Sequence, residues 1–127
     1  MKASAALLAC APALALANVN FLTTVRAKPG KADAADAFLS RTIANFHQIK
    51  PAGQTEIFGA RTGKDQFTVL EQYVSECAAL EWTYNETHVE ACLPMGDLLD
   101  ASTVQVQSDA APWVIQSFVA FLQPPSS

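Results

Sequence analysis

The chain has 127 residues, half of them hydrophobic, with eight basic and twelve acidic side chains and a formal charge of −4. That is enough for one domain of ordinary size with a compact core, and it leaves no room for a second. An acidic chain without a Lys/Arg cluster lacks the electrostatic footprint of a nucleic-acid binder.

Met1-Lys2 gives a short positive start, and residues 5–17 form an Ala/Leu run that closes on Ala15-Leu16-Ala17 before Asn18. This is the pattern of a signal peptide over residues 1–17, so the mature chain is expected to be secreted or otherwise exported. The run is shorter than the roughly 20 apolar residues of a relaxed span, and Pro12 interrupts it, which favours a cleaved leader over a stable membrane anchor. The alternative is an additional N-terminal helix of a cytoplasmic protein, since Ala-rich segments are good helix formers. Cleavage would leave seven basic and twelve acidic residues, a charge of −5. Cys10 falls in the leader, which leaves Cys77 and Cys92 either to bridge or to serve as two buried small hydrophobes. Neither lies in a Cys-x-x-Cys pair and His47 and His88 form no ligand cluster, so no metal is expected.

Residues 19–25 place Val19, Phe21, Thr23 and Val25 on one face of a half-buried strand, and Ala27-Lys28-Pro29-Gly30 ends it. From Lys31 the period becomes helical: Ala35, Phe38, Leu39, Thr42, Ile43 and Phe46 share a face, with Lys31, Asp33, Asp36 and Arg41 outward. Pro51-Ala52-Gly53 punctuates the helix, residues 55–60 form a second strand, and residues 61–65 turn. The third strand sends Phe67, Val69, Glu71 and Tyr73 one way and Thr68, Leu70, Gln72 and Val74 the other. Ser75 is the expected N-cap of a helix that runs through Ala79, Leu80 and Tyr84. Asn85-Glu86-Thr87 breaks that helix before a further turn with His88, Ala91 and Cys92, and Pro94 and Gly96 stop that turn. Residues 103–106 close the set as a fourth strand.

The order β-α-β-β-α-β over residues 18–107 predicts an α+β domain, a ferredoxin-like four-stranded antiparallel sheet with helices on one side. The other face would be open and partly apolar, and burying it against a second copy predicts a homodimer. Residues 108–127 are a C-terminal extension in which Trp113-Val114-Ile115 and residues 118–122 are too apolar for a free linker. The extension is expected to pack as a helix or strand on its own subunit or the neighbour, with the last four residues disordered.

With this order of elements, the chain resembles the antibiotic biosynthesis monooxygenase family of dimeric α+β barrels. Leu70-Glu71-Gln72-Tyr73 is similar to the family's third strand, with an acidic residue two before an aromatic. Ala79-Leu80-Glu81 resembles its helix signature, Thr87-His88 its conserved histidine segment, and Gly96-Asp97-Leu98-Leu99 the end of its quinol monooxygenases. Two positions depart from the pattern: Thr83 stands where many members have a first histidine, and Val89 follows His88 in place of an aromatic. An export signal is also unusual there.

The resemblance implies oxidation of a small phenolic or quinol substrate by molecular oxygen with no flavin, haem or metal cofactor. Such a substrate is its own reductant once deprotonated, so the protein need supply only a base and a dry cavity. His88 is the candidate base, because its ordinary pKa lies near the working range, and Glu71 the candidate partner that orients it or binds a hydroxyl. Tyr73, Trp82 and, more weakly, Asn20 are candidate substrate-binding residues. Each has a structural reading too: Glu71 as a carboxylate at a dimer seam, His88 as the start of a helical turn, Tyr73 and Trp82 as core, Asn20 near a sheet edge. Asn20, Trp82 and His88 are superficially similar to the set in haem-degrading relatives, but here the Trp and His are too close in sequence. Asn85-Glu86-Thr87 is a glycosylation sequon in a eukaryotic secretory route. Two alternatives stand beside the monooxygenase: a non-catalytic dimeric barrel that binds a small molecule, and an isomerase or lyase of a small carbonyl compound. A cystatin-like inhibitor lacks its central strand motif here.

Overall fold

The computed structural model describes residues 18–124; the leader expected over residues 1–17 and the end of the tail at residues 125–127 lie outside the described residues. Four strands, β1 (Val19–Ala27), β2 (Gln54–Arg61), β3 (Gln66–Tyr73) and β4 (Leu99–Ser108), form one sheet in the order β2-β3-β1-β4. All three pairings are antiparallel, which is the ferredoxin-like arrangement. The helices are α1 (Ala32–Ile49), α2 (Glu76–Thr83), α3 (Glu86–Cys92), α4 (Met95–Leu98) and α5 (Pro112–Leu122).

Local chemistry sets the boundaries. The α1 face Ala35, Phe38 and Phe46 is buried as its period predicts, while Asp33 and Asp36 meet Arg61 of β2 at 2.9 and 3.8 Å. Its C-cap, Lys50, adopts the left-handed conformation at φ 53° and returns its N–H to the Phe46 carbonyl. His47 bonds the Ile57 carbonyl at 2.8 Å and ties the helix to β2. Gly59 faces α1, with Ile43 Cδ1 occupying the place a Cβ would take. Ser75 caps α2 as expected, its hydroxyl accepting the Ala78 N–H at 3.1 Å.

Two expectations change and one open alternative closes. The segment carrying His88 is a full helix, α3, started by the Asn85 side chain on the Thr87 N–H at 2.8 Å. Gly96 does not stop it; that glycine lies inside the single turn α4, and β4 begins directly afterwards at Leu99, four residues earlier than the alternation of residues 103–106 suggested. A shift of register between Thr24 and Arg26 on β1 hides the early part of β4 from a period-of-two reading. Cys92 is a free thiol, so the Cys77–Cys92 bridge is not formed.

The helix-covered face of the sheet carries the core in two clusters. One gathers Phe21, Phe46, Tyr73, Leu80, Trp82 and Phe118, the other Val25, Ala27, Ala35, Phe67 and Leu99. The extension packs on its own subunit as α5, with Val114 and Phe118 buried and Phe118 stacked on Phe21 at 4.3 Å. The opposite face presents a row across three strands: Phe58 pairs with Leu70 and Leu70 with Leu22. Phe58 is 55% exposed and Leu22 37%.

Candidate functional site

Strand alternation puts Glu71 on the helix-covered face, paired with Phe21 on one side and Ile57 on the other. Both neighbours are buried apolar residues, so the carboxylate has little water to stabilise its charge. Burial pushes its pKa from 4.5 up to about 7, against the opposing pull of a hydrogen bond from Tyr73. Tyr73 donates to Glu71 Oε1 at 2.5 Å and accepts from Gln54 Nε2 at 3.1 Å. Burial and the adjacent carboxylate hold the Tyr73 hydroxyl well above its ordinary value, so it remains a donor. The Glu71 side chain lies on the face of the sheet opposite Phe58 and Leu22.

His88 projects from α3 with 8% exposure. Its Nδ1 lies 2.9 Å from the Thr83 carbonyl. A carbonyl only accepts, so Nδ1 carries the proton and the neutral ring keeps a bare lone pair on Nε2. That lone pair faces Cys92 Sγ at 3.5 Å, one helical turn on. Burial lowers the His88 pKa, partly offset by the Thr83 bond, and keeps the ring neutral. The thiol is pushed up to about 12, first by burial and then by the charge of Glu71. Cys92 thus connects the two candidate groups, one by contact and the other by its field.

Three rings enclose the imidazole: Phe46, Trp82 and Phe121, with centroids at 5.5, 5.2 and 5.0 Å. Among the described residues, two buried polar atoms on this side of the molecule have no hydrogen-bond partner, Trp82 Nε1 and Thr23 Oγ1. Thr23 pairs with Val69, one step along the sheet from the Phe21–Glu71 pair. Native interiors rarely leave such groups unpaired, and a polar ligand is one way to satisfy them.

The structure thus brings His88, Glu71, Tyr73 and Trp82 to one side of the sheet and leaves Asn20 on the other. Asn20 accepts from Gln72 Nε2 at 3.0 Å and its backbone N–H meets Asp109 at 2.8 Å, so it serves the join between β1 and the extension. Sequence reasoning missed Cys92, Gln54, Phe46 and Phe121. Only Cys92 left a local signal, four residues after His88 and so on the same helical face. Among the described residues no group of three or more His, Cys, Asp or Glu side chains is arranged to hold a metal ion, and no helix is long and apolar enough to cross a membrane.

No protein-family model matches the chain, and no curated protein matches it. Solved structures do. A “putative antibiotic biosynthesis monooxygenase” from Caulobacter crescentus superposes with a TM-score of 0.63 at 20% identity, covering 76% of this chain and 92% of its own. A structure of the same description from Chloroflexus aurantiacus gives 0.60 at 16% identity, over 75% and 93%. PA3566 from Pseudomonas aeruginosa gives 0.62 at 19% identity, over 78% and 98%. The chain has the fold of these structures, the four-stranded antiparallel α+β arrangement that the order of its elements predicted.

Proposed function

We propose that the protein is a cofactor-independent monooxygenase of a small phenol or quinol. The observation that carries this reading is the buried His88, held neutral with its proton on Nδ1 and its lone pair on Nε2, linked through Cys92 to the field of the buried Glu71 carboxyl group, whose pKa is raised to about 7. Nε2 is the proton acceptor for a phenolic hydroxyl, and the apolar surroundings exclude water, so the electron-rich anion, once formed, meets oxygen unsolvated. The balance for a hydroxyarene needs no external reductant. One oxygen atom becomes a new ring carbonyl, and the other leaves as water with the hydroxyl and ring hydrogens.

One contact favours a second reading, a binding module without turnover. The Cys92 thiol faces the same Nε2 that a substrate would use. Oxygen uptake by the purified protein with a panel of dihydroxynaphthalenes, anthrones and quinols, chelator present, separates the two. Uptake abolished in His88→Ala supports the oxygenase. Binding of the same compounds without uptake or any anaerobic product supports the module, whereas anaerobic turnover would instead point to the isomerase or lyase. Export of the mature chain and a homodimer joined through the Phe58–Leu70–Leu22 face belong to the same proposal.

A further inference from the structure

The C-terminal helix is attached to the site by specific contacts. Its body is fixed on the sheet through buried Val114 and the Phe118–Phe21 stack. It is latched twice more, by Tyr84 Oη on the Ser117 carbonyl and by Gln123 Nε2 on the Ala101 carbonyl, each at 2.6 Å. Those anchors present Phe121, on the last turn, to the His88 ring at 5.0 Å and to Tyr84 at 5.8 Å.

The three rings around His88 differ in how far they can yield. Phe46 and Trp82 are 3% and 7% exposed and pack edge-to-face on each other at 5.2 Å, so displacing either opens the main core. Phe121 is half-buried and sits on the last turn of α5, where its ring contacts are with His88 and Tyr84 and a rotamer change is less costly than in the core. The imidazole is therefore packed between two fixed rings and one adjustable ring, so a ligand that reaches it does so by displacing Phe121. We infer that Phe121 is the specificity-determining residue of this site, setting how many fused rings an aromatic ligand presents beside His88.

This rests on the reading of the site as one for hydroxylated aromatics, and anaerobic binding tests it without oxygen chemistry. The probes are phenol, 1-naphthol and 1-anthrol, titrated by calorimetry against wild type, Phe121→Ala, Phe121→Leu and Phe121→Trp, with thermal melts confirming that each variant folds. Removing the ring should improve the affinity for 1-anthrol relative to phenol by about tenfold or more, the scale on which pocket size discriminates apolar groups. Leucine should give part of that change, and tryptophan should reverse it. A ratio that stays constant across the folded variants overturns the inference, as does absence of binding by all three probes. A protein that consumes no oxygen yet sorts rings through Phe121 sinks the oxygenase alone, and uptake with an unchanged ratio sinks only the role of Phe121.

Discussion

Tyr73 holds the Glu71 carboxyl through a 2.5 Å hydrogen bond while burial works against that carboxyl's charge, and the balance leaves a pKa of about 7. An acid raised in the folded state keeps its proton at pH values where the unfolded chain has lost it. Stability from Glu71 is therefore complete below pH 4.5 and is lost as the pH climbs through about 7, by up to about 3 kcal/mol. Glu71→Gln retains an acceptor for Tyr73 and removes the titration. Urea unfolding from pH 4 to 8 should show the variant gaining on wild type as pH rises, and parallel curves would contradict the raised pKa.

His88 acts in the opposite sense. Its folded pKa is depressed, so its contribution is present above pH 6.5 and is lost as the pH falls, when the unfolded imidazole takes up a proton that the buried ring resists. The same urea series on Glu71→Gln should thus expose a rising slope that levels off above pH 6.5. Nitrogen-15 spectra supply an independent check: His88 should show a protonated Nδ1 and a bare Nε2 at pH 7. A protonated Nε2 would remove the proton acceptor from the proposed chemistry.

The fold was legible because its signals are periodic. Phe67, Val69, Glu71 and Tyr73 alternate cleanly, α1 carries its apolar residues on one stripe, and Ser75 announces α2. The same alternation already separated Asn20 from Val19 and Phe21, so its place on the open face was readable, although residue type alone made it a site candidate. What encloses His88 was not readable. Phe46 comes from the end of α1 and Phe121 from the extension, and nothing local in either segment says that tertiary packing brings both to one imidazole. The early part of β4 was hidden by its register shift, which breaks the period that a strand is recognised by.

Two neighbouring positions in the left-handed region give stability predictions of opposite sign. Lys50 holds φ 53° with a side chain that disfavours it, so Lys50→Gly should stabilise by about 1 kcal/mol. Gly53 holds φ 82°, and a Cβ there would stand 2.5 Å from Ala78 Cβ on α2, a contact that only backbone movement relieves. Gly53→Ala should destabilise by roughly 2–3 kcal/mol, strain and crowding together. Chemical denaturation of the two variants with unchanged m-values tests both signs.

The row Phe58–Leu70–Leu22 has a different consequence from a scattered set of exposed apolar residues. Three side chains adjacent across paired strands make a continuous strip, and a two-fold axis through the face would lay each strip against its copy. Phe58, the most exposed of the three, contributes little to the fold of its own subunit, so a charge there should act on assembly alone. Phe58→Glu would place a charge in that apolar strip, and sedimentation should show the proposed dimer weakened by at least about tenfold while the thermal melt of the monomer changes little. A wild-type protein that remains monomeric at every concentration removes the proposed dimer. A variant that dimerises like wild type moves the interface to another face.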